Sequence, residues 1–228
     1  MNMQPVPVQA ARPTAGTAAG TVAGSRVLRN TYLLLSATLA FSALVAGVAF
    51  ALDAPHPGIL ITLVGYFGLL FAVTKTRNSA MGLLFVFLLT GFMGYTLGPI
   101  LNMYVKALPN GHNVIVNAFA ITAVTFVGLS AYAVKSGRDF SFMRGFLFVG
   151  VIAAFLLGLV AIFFQQPMLS LAVSGLFVLL MSGMILWQTS DILQGGETNY
   201  IMATVSLYVS IFNLFTSLLH ILGVWSDD

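Results

Sequence analysis

Residues 145 to 164 read Gly-Phe-Leu-Phe-Val-Gly-Val-Ile-Ala-Ala-Phe-Leu-Leu-Gly-Leu-Val-Ala-Ile-Phe-Phe, with no charged, amide or hydroxyl side chain among them. At 1.5 Å per residue a helix of this length measures about 30 Å, the thickness of a bilayer's hydrocarbon core. A barrel strand would alternate apolar and polar residues, and this segment has no such period. It reads as a membrane-spanning helix, and the rest of the chain repeats its character. Of the 228 residues 59% are hydrophobic and 7% charged, with a mean hydropathy of +0.99. A soluble domain carries about 25% charged residues, so lipid is the solvent for most of this surface.

Charges mark where the spans end, because Asp, Lys or Arg at mid-bilayer costs at least about 2.5–3.5 kcal/mol. The uncharged intervals Asn30 to Leu52, Ala54 to Thr74, Asn78 to Val105 and Ala107 to Val134 each hold one span. Gly145 to Ser190 is long enough for two and is interrupted by Gln165, Gln166 and Pro167, the last suited to a helix's first turn. Asp191 and Glu197 then delimit a short loop with Gly195 and Gly196, and Thr198 to Ser226 holds the seventh span. The expected fold is all-α: a polytopic membrane protein whose residues 26–228 form one seven-transmembrane-helix bundle, neighbours antiparallel across short connections.

Seven basic residues, Arg26, Arg29, Lys75, Arg77, Lys135, Arg138 and Arg144, fall on one side of this arrangement; with Arg12 they stand against Lys106 alone on the other. The positive-inside rule puts the amino terminus in the cytoplasm and, after seven spans, the carboxyl terminus outside. Scattered in this way, the basic residues are topology signals and not a nucleic-acid surface. Met1 to Ser25, rich in Ala, Thr, Gly and Pro, reads as a disordered cytoplasmic tail, a possible handle for a partner.

Several chemistries lack their residues. There is no cysteine, hence no disulfide, thiolate nucleophile or Cys-based zinc site. His56, His112 and His220 are dispersed without metal-ligand spacing. An intramembrane serine protease would need a Ser and a His together; Ser130 and His220 are the couple the sequence offers, with no nameable oxyanion donor. No acid sits mid-span, and only Asp191 is placed to dip below the interface. The polar residues cluster late, as Gln188, Asp191, Asn199, Ser210 and Asn213, with Ser210 and Asn213 three apart on one helix face. Interhelical hydrogen bonding is their plain role. In the third span Gly94 and Gly98 have the small-xxx-small spacing of close helix packing, followed by Pro99, a source of a kink, and by Asn102. A binding or structural protein is expected, not an enzyme, with no cofactor or metal.

Gly195 to Phe215, Gly-Gly-Glu-Thr-Asn-Tyr-Ile-Met-Ala-Thr-Val-Ser-Leu-Tyr-Val-Ser-Ile-Phe-Asn-Leu-Phe, resembles the signature of the Bax-inhibitor-1 family. Val-Leu-Arg-Asn-Thr-Tyr at Val27 to Tyr32 and Gly-Tyr-Thr-Leu-Gly-Pro-Ile-Leu-Asn-Met-Tyr at Gly94 to Tyr104 resemble its bacterial, YccA-like branch. The resemblance implies an inner-membrane bundle with the seventh helix in the middle. It also implies a modulator, as inhibitor or competing substrate, of the membrane-anchored ATP-dependent protease FtsH in membrane-protein quality control. Other members of the family are pH-sensitive calcium leaks that use a pair of aspartates on the last two helices. The matching positions here are Gln188 and Ser210, which cannot ionise. A cation leak is therefore the second reading, and Asp191, one turn from Gln188, offers no like-charged neighbour to share a proton.

Overall fold

Five uncharged intervals form one helix each and Gly145 to Ser190 forms two, and the breaks fall where backbone chemistry ends them. The computed structural model describes residues 15–226, with side chains from Gly24 onward. Helix α1 spans Ala15–Ala51, α2 Ile59–Thr76, α3 Ala80–Ala107, α4 Gly111–Ser136, α5 Arg144–Phe163, α6 Pro167–Gln194 and α7 Tyr200–Trp225. Apart from a short 3-10 turn at Ser141–Met143, these are all the regular elements among the described residues. All seven are long and apolar enough to cross a membrane, α1 through its Gly24–Ala51 portion. Of the expected disordered tail Met1 to Ser25, residues 1–14 lie outside the described residues, as do the side chains of 15–23. From Ala15 the backbone is helical and continuous with α1, an Ala-rich start that favours helix over coil, so the helix begins earlier than the tail reading had it.

The terminators are specific. Pro55 and Pro57 precede Gly58, whose φ of 85° no β-carbon would favour, and α2 starts directly after it. Gly137 (φ 59°) closes α4 and Gly195 (φ 79°) closes α6, each donating its N–H back into the last turn. Pro167 opens α6 as its first residue, where no intrahelical donor is needed. The helix it opens runs through Asp191 to Gln194, one turn further than the charges suggested. Asp191 thus sits in the last turn of α6, and the loop is confined to the residues from Gly195 to Asn199.

α7 is the central helix. It packs against α1, α3, α4 and α6, with α2 applied to the outside of α3 and α5 to the outside of α6. Thirteen of its residues between Ile201 and Gly223 are buried, and Leu207 and Leu214 meet Leu35, Val86, Leu89 and Ile185 in the main core. Outward faces carry Leu44, Val64, Phe71, Val124, Phe148 and Leu179, all more than half exposed. So much bare hydrocarbon suits a bilayer and no aqueous surface.

The most extensive pairing joins α1 to α3. Between lipid-embedded helices, association draws on close van der Waals approach, which small residues permit. Gly94 lies against the Ser42 carbonyl and Gly98 against Ala46 and Ala49, so the small-residue spacing in α3 meets small residues on α1. A β-carbon at Gly98 would come within 2.5 Å of that of Ala49. Pro99 sits inside the continuous α3, and Asn102 lies one turn beyond Gly98.

Gly98→Leu is expected to destabilise the bundle by about 1–3 kcal/mol through overpacking. Thermal unfolding in detergent should show a lowered midpoint, whereas Gly47→Ala, whose β-carbon would meet nothing within 4 Å, should not lower it.

Candidate functional site

A polar side chain in hydrocarbon must find a partner within the protein. Following each polar residue of α7 to its partner traces a seam running the length of the bundle.

At the end bearing the α2–α3 and α4–α5 connections, where Arg77 and Arg138 lie, Asn199 does two things. Its Oδ1 accepts from the Ile201 and Met202 amides at 3.0 Å each, capping α7. Its Nδ2 donates to the Arg77 carbonyl at 3.0 Å and to Asn78 Oδ1 at 2.8 Å, fastening the α2–α3 loop to the central helix. α6 fastens the next connection. Ser190 Oγ donates to the Arg138 carbonyl at 2.8 Å and accepts from the Phe140 amide at 3.3 Å, while Gln194 Nε2 donates to the Gly137 carbonyl at 3.0 Å. The Arg144 guanidinium stands over the Trp187 ring, 5.7 Å from its centroid. Asp139 accepts from both the amide and the hydroxyl of Ser141, at 2.8 and 2.5 Å, which holds its carboxyl below the ordinary 3.8.

In the interior, Ser210 Oγ donates to Gln188 Oε1 at 3.2 Å, both residues buried at 2% and 7% exposure. The structure therefore brings Gln188 and Ser210 together as neutral partners. Asn213 does not join them: its Nδ2 donates to the Val209 carbonyl of its own helix at 2.8 Å. Asp191 is half-buried one turn along α6, its carboxylate beside Gly196 and its carbonyl accepting the Gly196 amide at 2.9 Å. Tyr208, 1% exposed, places its hydroxyl 2.6 Å from Ser42 Oγ and donates to the Thr90 carbonyl at 3.3 Å, so one phenol links α7 to α1 and α3. Thr204 Oγ1 reaches the Thr31 carbonyl of α1 at 3.3 Å.

Toward the opposite end, Asn102 Nδ2 donates at 2.8 Å to the Phe50 carbonyl in the last turn of α1, which also accepts the Asp53 amide at 3.2 Å. Asn102 is far from Gln188 and Ser210, so the candidate polar residues form staples at several depths and no single pocket. Lys106 and Asp53 form an ion pair at 2.5 Å with both side chains well exposed, worth at most about 1 kcal/mol. His220 Nδ1 lies 2.7 Å from Ser174 Oγ, and the partnership the sequence suggested with Ser130 does not form; Ser130 Oγ is buried without a hydrogen-bond partner. Ser174 Oγ also lies 3.0 Å from the Ser170 carbonyl of its own helix, so its single proton is shared between an intrahelical acceptor and the imidazole. The missed signal was distance from the loop: Ser174 and His220 lie equally far on either side of Glu197 in an antiparallel helix pair.

These contacts define the class: a helical membrane protein of seven spans whose interior is joined by neutral hydrogen bonds. A family model described as inhibitor of apoptosis-promoting Bax1 matches residues 24–227, and the chain belongs to that family. Among its relatives, an uncharacterized protein of Pseudomonas aeruginosa is 57% identical over 204 residues, covering 90% of this chain and 91% of its own. Modulator of FtsH protease YccA from Escherichia coli is 52% identical over 204 residues, 89% of this chain and 92% of its own. A membrane protein of Vibrio cholerae is 46% identical over 209 residues, 91% of this chain and 93% of its own.

Asn199→Ala should cost about 1 kcal/mol of capping and speed hydrogen exchange at the Ile201 and Met202 amides. Asn199→Asp, which can still cap but cannot donate to Arg77, should keep those amides protected while exchange rises in the α2–α3 loop. For Asp139 the lowered value means that its contact with Ser141 is intact at any pH above 3.8 and is lost only as pH falls through the depressed value. Carboxyl chemical shifts should therefore titrate below 3.8 in the native chain and move up toward it in Ser141→Ala.

Proposed function

We propose that this chain is a multi-pass inner-membrane modulator of an FtsH-type ATP-dependent protease, acting by binding and not by catalysis. The observation that carries this reading is its 52% identity, over nine-tenths of both chains, to the Escherichia coli protein named modulator of FtsH protease. The architecture is suited to the role. A protein that occupies a membrane protease without being consumed needs a body that resists extraction, and here apolar helices are tied to one another and to their loops through Asn199, Ser190 and Tyr208.

The tail Met1 to Ser25 is the segment we assign to engagement by the protease, with the amino terminus cytoplasmic and the carboxyl terminus periplasmic as the basic residues direct. The Bax-inhibitor-1 type of pH-sensitive calcium leak is the weaker reading for this chain. Its switch requires two carboxylates sharing a proton, whereas the Gln188–Ser210 contact keeps its hydrogen bond at every pH.

Removing residues 1–23 should leave the bundle folded and still co-purifying with the protease from native membranes, while lengthening the protein's half-life in cells that carry the protease. An unchanged half-life would dismiss the tail as the point of engagement. Failure of both forms to co-purify would overturn the modulator reading, and calcium flux in liposomes would then test the leak.

A further inference from the structure

α1 and α4 are each packed against α3, α6 and α7, but hardly against each other. Between them lies a cavity of 590 Å³, floored by α7 at Tyr208, Ile211 and Phe215. Ala43 and Gly47 on α1 and Val116 and Phe119 on α4 line it and are exposed, so they form the lips of an opening toward the surrounding bilayer. Further along, Tyr32 and Phe126 meet edge to face at 5.9 Å and close the gap.

Position and size restrict what can lie here. Along α4 the lining runs from His112, beside the Lys106 end, to Val127. That is about 20 Å of helix, against about 15 Å for half the hydrocarbon core. The slot thus starts at one interface and stops shortly past the midplane, which matches one leaflet and not a whole crossing. A partner's spanning helix would continue through the other leaflet, where Tyr32 and Phe126 already close the gap.

The lining is almost entirely apolar. The two hydroxyls at its floor, Tyr208 and Ser42, already satisfy each other, and no Lys or Arg contributes to it. From this geometry we propose that the α1–α4 cavity is a binding site for a single acyl chain of a phospholipid from the leaflet on the Lys106 side. The headgroup lies near His112 and the chain runs along α7 at Tyr208, Ile211 and Phe215. The lining has no cation to select an anionic headgroup, so a zwitterionic phospholipid is the ligand class. Such a lipid fills the gap that α1 and α4 leave and sits against the same helix that carries the Gln188–Ser210 contact.

The test uses the full-length protein in phosphatidylcholine vesicles doped with a phosphatidylcholine bearing a photoactivatable diazirine midway along one chain, with adducts located by mass spectrometry. Adducts are expected on Ile211 and Phe215, which belong to the central helix and are shielded from lipid elsewhere, as well as on the general lipid-facing residues Val64 and Phe148. Gly47 lines the slot and a β-carbon there would meet nothing within 4 Å, so Gly47→Phe should be accommodated and obstruct it. It should lower the α7 adducts by about ten-fold or more while leaving those at Val64 and Phe148 within about two-fold. If Gly47→Phe does not insert stably, Val116→Trp on the opposite lip is expected to give the same result. Absence of α7 adducts in the native chain, or their persistence in both obstructed variants, would overturn the proposal. So would capture of a second protein chain, and not lipid, by a photoreactive side chain placed at Val116.

Discussion

No water is available in hydrocarbon to satisfy a backbone N–H or carbonyl, and this constraint shapes the chain from end to end. Within each span the helix satisfies itself; the difficulty moves to its termini, where donors and acceptors are left over. The polar residues of this protein are concentrated on that task. Asn199 supplies acceptors to the start of α7, Asn102 supplies a donor to the end of α1, and Ser190 and Gln194 take up the backbone between α4 and α5. Asn102, Ser190 and Gln194 cross from one element to another in doing so, and Asn199 does so through its second bond to Arg77, so the solution to a local problem at a helix end becomes a tie that fixes the tertiary arrangement.

The hydrophobic effect does little to bring helices together once they are in lipid, so the arrangement also depends on how closely backbones approach. α1 and α3 meet through Gly94 and Gly98 on one side and Ser42, Ala46 and Ala49 on the other. Tyr208 of α7 then inserts its hydroxyl beside Ser42, at the level of that contact. The same helix α1 that is held so tightly on its α3 side is left unsupported on its α4 side, and the cavity there follows from that asymmetry.

The sequence makes the number of helices and their order legible because charge is so costly at mid-bilayer that its absence draws the spans directly. Where a charge lies close to an end it misleads: Asp191 was a boundary by this logic, yet α6 runs past it, since a carboxylate in a last turn can reach the interface. The Gln188–Ser210 and Ser174–His220 contacts depend on the register between two antiparallel helices, which a residue pattern along either helix does not encode. Tyr208 is likewise one aromatic residue among many in an apolar stretch, and only the approach of α1 and α3 makes its hydroxyl a junction. The gap between α1 and α4 had no sequence signal at all, because a missing contact leaves the composition of both helices unchanged.

The neutral character of the central helix has an electrical consequence. From Tyr200 to Trp225 there is no Asp, Glu, Lys or Arg, and the interior contact it makes with α6 joins an amide to a hydroxyl. A transmembrane potential of 100 mV does about 2.3 kcal/mol of work on each elementary charge carried across it. On α7 it finds no fixed charge to act upon. The helix around which the bundle is organised is thus tied to its neighbours while carrying no Asp, Glu, Lys or Arg for a membrane voltage to displace.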